Sequence, residues 1–250
     1  MKKGDMILLR TSHGKRIREF ITVVSDEDYH TDLGIIYMND ILQSSIGDTV
    51  QSHKGHTFLI HRPRTPDFFR HAKRTGAPMM PKDIGMIIAY TGLNKNDVVL
   101  DSGTGSGILA MYLGSIAKKV ISYEIKEDFA EVARQNIINA GLDNVEVRCG
   151  DIVEEVKNLD QAFDVITLDT MHSMKVIPHV INILQTGGYV ATYSPFIEQT
   201  KEIRQSFGEA GFSDVVTLEC IEREISFSDR GTRPSTARVG HTGFITIARK

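Results

Sequence analysis

The sequence predicts an α/β fold, a doubly wound and mostly parallel sheet preceded by a small N-terminal β domain. Three observations carry this. From residue 98 onward, short apolar runs alternate with stretches of helical periodicity, the rhythm of successive βα units. Several of those runs end in acids, Asp101, Glu124, Asp151 and Asp169, and the first is followed by Gly103, Gly105 and Gly107. Before residue 62, helical periodicity is absent and short strands are broken by polar turns.

With 250 residues the chain has room for a large domain and a small companion, and we expect the division at 1–66 and 67–250. A hydrophobic fraction of 41% suffices for a packed core. No apolar run of about 18 residues occurs, and Met1-Lys-Lys-Gly-Asp-Met6 is not followed by an apolar signal core. The expectation is therefore an intracellular, cytoplasmic protein without a membrane span. Cys149 and Cys220 stand far apart inside apparent strands and read as buried small hydrophobes. A net charge of −3 argues against a uniformly basic nucleic-acid binder, so any RNA surface has to be a local patch.

In chain order, strands are expected at 6–10, 19–24, 34–38 and 56–60. The N-terminal histidines His13, His30, His53, His56 and His61 lack the cysteine or acidic spacing of a metal site, so no metal is expected. A connector from His61 to Thr75 carries Arg62, Arg64, Arg70, Lys73 and Arg74 against Asp67, interleaved with Phe68 and Phe69. A charge run is often a solvated face, but aromatic interleaving beside a nucleotide site makes phosphate contact a candidate role. Pro81 starts a helix with Asp83 in its first turn and apolar residues at 84, 87 and 88 on one side. Strands at 98–101, 120–124, 145–149, 163–169 and 188–193 then alternate with helices at 107–118, 127–140, 174–184 and 198–210. Strands at 215–224 and 243–248 close the sheet as an antiparallel pair.

The turn Asp101-Ser-Gly-Thr-Gly-Ser-Gly107 is a nucleotide cradle. Glycines let the backbone turn tightly against a ligand, and the helix start offers unpaired N–H groups. A dinucleotide fingerprint would place its third glycine at position 108, which is Ile108 here. The G-x-G-x-G form after an acidic strand end instead resembles motif I of the class I S-adenosylmethionine (AdoMet) methyltransferases. That resemblance implies a Rossmann-like methyltransferase sheet, with Asp101 near the methionine end and Gly103, Thr104, Gly105, Ser106 and Gly107 as the cradle. Glu124 is placed to accept the ribose hydroxyls, and Asp151 with Ile152 would hold the adenine. Each acid alone could equally be a helix N-cap or a solvated strand end.

Pro81-Lys-Asp83, Ser122-Tyr-Glu-Ile-Lys-Glu-Asp-Phe129 and Arg233-Pro-Ser-Thr-Ala-Arg-Val-Gly-His-Thr-Gly243, taken with the glycine turn, resemble the archaeal and bacterial tRNA (adenine-N1)-methyltransferases. The resemblance implies methylation of N1 of a T-loop adenine of tRNA, commonly position 58, by a homotetramer, with Asp169 as the catalytic acid. Substrate-side candidates are Met80, Arg233 and His241, together with the basic connector. Two departures stand out. The family has Leu-Pro after the catalytic aspartate, where this chain has Asp169-Thr-Met-His172, and a Gln and a Tyr before Pro-Lys-Asp, where it has Ala77-Pro-Met-Met80. The rival readings are a small-molecule methyltransferase and a non-catalytic RNA-binding paralogue.

Overall fold

The computed structural model describes residues 1–13, 16–236 and 240–250. Ala237-Arg-Val239, inside the closing segment singled out above, and the side chain of His13 lie outside the described residues. The chain divides into two compact units, Met1–Lys73 with Ile138–Gly141, and Arg74–Ile137 with Leu142–Lys250.

In the first unit, β1 (Met6–His13), β2 (Arg16–Val23), β5 (Thr49–Gln51) and β6 (Thr57–His61) form an antiparallel sheet in the order β2-β1-β6-β5. A ribbon of β3 (Tyr29–Thr31) and β4 (Gly34–Ile36) and the short helix α1 (Met38–Gln43) complete it. Alternation along the strands sends Ile7, Leu9, Val50, Phe58 and Ile60 inward onto Ile36, Met38 and Ile41. The connector is not extended throughout: α2 (Thr65–His71) begins with Pro66 in its first turn, where a missing N–H costs nothing, and Asp67 accepts from the Arg64 N–H at 2.8 Å. The boundary expected after residue 66 thus falls inside a helix whose residues cluster with the first unit.

The second unit opens with α3 (Pro81–Thr91) and alternates through β7 (Val98–Ser102), α4 (Ile108–Gly114), β8 (Lys119–Glu124), α5 (Glu127–Asn139), β9 (Val145–Cys149), the short α6 (Ile152–Glu155), β10 (Phe163–Leu168), α7 (Ser173–Ile183), β11 (Leu184–Ser194) and α8 (Ile197–Glu209). β12 (Asp214–Glu219), an exposed hairpin of β13 (Ile225–Ser228) and β14 (Gly231–Pro234), and β15 (Phe244–Arg249) finish the chain. The sheet order is β12-β15-β11-β10-β7-β8-β9, parallel from β11 to β9 and antiparallel where β15 meets β11 and β12. This Rossmann-like sheet buries apolar residues on both faces, as parallel strands covered by helices must.

Four expectations need correction. α4 ends at Gly114, not near 118, because Asn144 donates to the Gly114 and Ala117 carbonyls at 2.8 and 2.9 Å and caps the helix early. β11 starts at Leu184, four residues before the expected Gly188, with a register irregularity opposite Phe163–Val165. β12 stops at Glu219, and the chain leaves the sheet for the hairpin. Cys149 is exposed on edge strand β9, and Cys220 is partly buried beyond the end of β12, so neither is the buried strand residue expected.

Candidate active site

β7 lies between β8 and β10, so the chain runs outward to one side through β9 and returns to start β10 on the other side. Open α/β sheets bind ligands at such a switch point, outside the carboxyl ends of the strands. A cleft of about 520 Å³ sits there, walled by Thr75–Met79, the Ser102–Ser106 turn, Tyr123–Lys126, Phe129, Gly150–Ile152 and Asp169–His172.

The turn is shaped by its neighbours. Gly103 has φ +87°, and a Cβ on it would lie 1.9 Å from the Asp169 carbonyl oxygen, so only glycine lets β7 and β10 deliver their loops side by side. Gly107, at φ +79°, caps α4 against the backbone of Ala133. Glu124, almost fully buried, holds the turn through Oε2, which accepts from the Gly105 N–H at 2.9 Å. Its Oε1 accepts from the Lys126 N–H at 3.1 Å.

The other predicted acids use their carboxyls differently. Asp101 is buried beneath the turn and is not part of the cleft wall; it accepts from the Ser122 hydroxyl at 2.5 Å and the Thr167 hydroxyl at 2.6 Å, tying β7 to β8 and β10. Burial, and then the charge of Glu124, push its pKa up against these bonds. Asp151 caps α6, accepting from the Val153 N–H at 2.9 Å, while it and Ile152 line the cleft. Thr104 is bonded to Ser122 at 2.6 Å, and the Ser106 hydroxyl accepts from the Thr75 N–H at 2.9 Å, which straps the 75–79 segment across the turn.

Asp169 differs from all of these. It follows β10, its own N–H donates to the Ser102 carbonyl at 2.8 Å, and among the described residues no donor meets its carboxyl. Burial without a compensating hydrogen bond, with the charge of Asp101 adding, pushes its pKa up to about 7. It therefore stands at the cleft wall as a carboxyl poised to change protonation near neutral pH.

The substrate-side candidates scatter. Met79, not Met80, lines the cleft; Met80 caps α3. Met171 and His172 form the outer wall, and Met171 is 77% exposed. His241 lies away from the wall, bonded through Nδ1 to Glu219 at 2.7 Å and through Nε2 to the Pro195 carbonyl at 2.8 Å. The Pro195 carbonyl and then Glu219 favour the imidazolium and raise its pKa, so it clamps three segments together. Arg233 is exposed on the hairpin. Arg62 and Arg64 are exposed, Arg70 is paired with Asp67 at 2.9 Å and Glu19 at 3.7 Å, and Lys73 and Arg74 are exposed.

Sequence reasoning did not foresee a buried network behind the cleft. Lys82 Nζ donates to Asp83 at 2.8 Å, the Thr242 hydroxyl at 2.6 Å and the Cys220 carbonyl at 2.5 Å, and Thr242 donates to Asp83 at 2.8 Å. Pro-Lys-Asp and His-Thr-Gly, about 160 residues apart, thus meet at one ion pair. The Tyr193 ring lies against Gly243, where a Cβ would come 2.4 Å from its Cζ. The signal was present in the two motifs; their partnership was not.

The cleft carries Glu124, Asp151 and Asp169 against Lys126, with Asp101 below, a field that favours a cationic ligand over a pyrophosphate. Strand order, glycine turn and strand-end acids define a class I, Rossmann-like methyltransferase. The comparisons carry this to a family. The family described as tRNA methyltransferase complex GCD14 subunit matches residues 63–231. The tRNA (adenine(57)-N(1)/adenine(58)-N(1))-methyltransferase TrmI of Methanocaldococcus jannaschii is 39% identical over 97% of this chain and 94% of its own length. The tRNA (adenine(58)-N(1))-methyltransferase TrmI of Thermus thermophilus is 28% identical over 89% of this chain and 88% of its own. The chain belongs to this tRNA methyltransferase family. Among solved structures, a SAM-dependent O-methyltransferase from Thermotoga maritima aligns over 100% of this chain and 94% of its own, with TM-score 0.85 and 28% identity. TrmI of Aquifex aeolicus, at TM-score 0.74 and 23% identity over 100% and 98%, shares the fold.

Proposed function

We propose that this chain is an AdoMet-dependent tRNA (adenine-N1)-methyltransferase acting on a T-loop adenine, position 58. The observation that carries the reading is Asp169: a carboxyl that no hydrogen-bond donor meets among the described residues, set beside the glycine turn, in a chain 39% identical over 97% of its length to an archaeal enzyme of that name. The residues present fit the cofactor, because Gly105 adds no side chain to the cleft wall, Glu124 orders the turn by accepting the Gly105 N–H, and the acidic walls suit a sulfonium. AdoMet supplies an electrophilic methyl carried on that sulfonium.

In the proposed roles, Gly103, Thr104, Gly105, Ser106 and Gly107 form the cradle, with Asp101 bracing it from below. Glu124 binds the ribose and Asp151 with Ile152 borders the adenine. Asp169 would accept the N6–H of the target adenine and so align its N1 lone pair toward the methyl group that AdoMet would supply when bound. The positive charge that develops on the ring is stabilised by the Asp169 carboxylate, which can also take the N6 proton. N1 lies on the Watson–Crick edge, so the base has to leave its stack to reach the cleft. Arg62, Arg64, Arg70, Lys73 and Arg74 are proposed to meet tRNA phosphates, with Arg233 on the substrate side. Met80 and His241 act through α3 and the 195–241 clamp rather than by touching the base.

A cytoplasmic homo-oligomer, a tetramer as in the resembling family, completes the reading. Among the described residues no helix is long and apolar enough to cross a membrane. The test is mass spectrometry of nucleosides from unmodified tRNA incubated with protein and AdoMet: 1-methyladenosine is expected, and it disappears with Asp169→Ala. A protein that leaves tRNA unmethylated but methylates the oxygen of a small phenol would instead support the small-molecule reading suggested by the Thermotoga maritima neighbour.

A further inference from the structure

The loop that follows Asp169 is fixed along its backbone. The Asp169 N–H is held by the Ser102 carbonyl at 2.8 Å, and the Thr170 carbonyl collects the Ser173 hydroxyl at 2.8 Å, the Ser173 N–H at 3.3 Å and the Gln199 side-chain amide at 3.3 Å. Ser173 opens α7 and is fully buried, and Gln199 stands in the first turn of α8, so two helices pin one carbonyl. The next side chain contrasts with this anchoring: Met171 lines the cleft and is 77% exposed. A second aliphatic residue at the cleft, Ile125, is 62% exposed, and strand order separates the two. Ile125 follows Glu124 at the end of β8, Met171 lies beyond β10, and β7 with its glycine turn runs between them. Ile125 therefore borders the side proposed for the ribose, and Met171 the side of Asp169, where the target base has to arrive.

A base that reacts at its Watson–Crick edge leaves its stack and leaves a gap behind it, with the faces of both neighbouring bases turned to water. Proteins that open base steps commonly insert an apolar side chain, methionine among them, into that gap. Methionine suits the task because it is unbranched and its polarisable thioether packs well against flat π faces. An anchored backbone suits it too, since a side chain keeps two bases apart only if its own Cα does not yield. We propose that Met171 is a wedge that enters the gap in the tRNA loop as the target adenine turns toward Asp169, and so holds the adenine out of its stack. The proposal rests on the tRNA-methylating reading above and deepens it. Met171 is then a positioning residue, touching the neighbouring bases and not the reacting atoms. Its exposure follows, because its apolar contacts form only in the complex. The labour divides accordingly: Met171 sets how much of the bound tRNA has its adenine extruded, and Asp169 acts on the extruded base.

The test uses the full chain and a tRNA carrying 2-aminopurine at the target position, a base whose fluorescence rises when it leaves a stack. It lacks the N6 amino group, so it reports extrusion without the Asp169 contact. Wild-type protein should raise the fluorescence. At concentrations that saturate the tRNA, Met171→Ala should give about half that rise, as a tenfold loss in an extrusion constant near ten requires. Single-turnover methylation of unmodified tRNA should fall roughly tenfold with AdoMet affinity unchanged, and Met171→Leu should restore both signals to within about threefold. Asp169→Ala should keep the full fluorescence rise while losing methylation. Phe196→Ala, which truncates a 67% exposed side chain beyond β11 and outside the cleft wall, should change neither. A Met171→Ala rise equal to the wild type, or a rate loss that leucine does not repair, would overturn the wedge and leave the function standing as long as the wild type forms 1-methyladenosine. A wild type that forms none would overturn both.

Discussion

Gly103→Ala is the sharpest perturbation of the site, because a single methyl group meets the backbone that carries Asp169. The new Cβ would start 1.9 Å from the Asp169 carbonyl oxygen and 2.7 Å from its carbonyl carbon. An ordinary C···O contact is about 3.3 Å, so one strand end has to yield by about 1.4 Å. The Asp169 N–H is itself anchored on the Ser102 carbonyl at 2.8 Å, so the shift is transmitted to the whole residue and not absorbed by a free loop. Holding an L residue at φ +87° costs about 1–2 kcal/mol and overpacking about 1–3 more, which lowers the melting temperature by roughly 4–20 °C. Displacement of a reacting group by about 1 Å costs on the order of 10²-fold in rate, so single-turnover methylation of unmodified tRNA should fall by at least that factor. Gly105→Ala is the control: at φ +54° its Cβ would find nothing nearer than 3.8 Å, so it bears backbone strain without moving Asp169. A Gly103→Ala protein with wild-type single-turnover rate and melting temperature would refute the claim that this glycine seats the acid.

Glu124→Ala removes the acceptor of the Gly105 and Lys126 N–H groups as well as the proposed ribose contact, and should weaken AdoMet binding by about 1.5–3 kcal/mol in calorimetric titration. Because burial raises the Asp169 pKa to about 7, the carboxyl is protonated below that pH; if the carboxylate acts, kcat should fall as pH drops through about 7, and Asp169→Asn should lack that inflection. Charge reversal of both Arg62 and Arg64 should weaken tRNA binding, flatten its log–log salt slope by about two and leave AdoMet affinity unchanged. Lys82→Ala strands Asp83, which is fully buried, and should destabilise the fold by about 3–5 kcal/mol in denaturant melts.

Where periodicity is strong and local, the sequence was informative. The strands around Leu100, Ile121 and Ile166 are buried on both faces and read as unbroken apolar runs, so the alternation of βα units was legible. The misses have particular causes. α4 ends at Gly114 because Asn144, thirty residues on, caps it, a tertiary contact no local pattern announces. α2 hid within a charge run because its start rests on Pro66 and one Asp67 bond rather than an apolar stripe. Cys149 was misread because edge position depends on strand order, which apolar character does not encode.

The site shows the same division one level down. An acid at the end of a parallel strand can be located from sequence, but the direction of its carboxyl cannot, since that depends on which donors the neighbouring strands bring. Asp101 meets hydroxyls from Ser122 and Thr167 and becomes a brace. Asp151 meets the Val153 N–H and caps a helix, while Glu124 meets Gly105 and holds the turn. Asp169 has the same strand-end position, yet no described neighbour supplies its carboxyl with a donor, so burial raises its pKa to about 7 and its proton stays labile near neutrality. What separates the group proposed for chemistry from three structural acids is therefore a lack of partners among the described residues. Only the assembled fold reveals that property, and it directs the search for the reacting base to the space beside Asp169 rather than to the glycine turn itself.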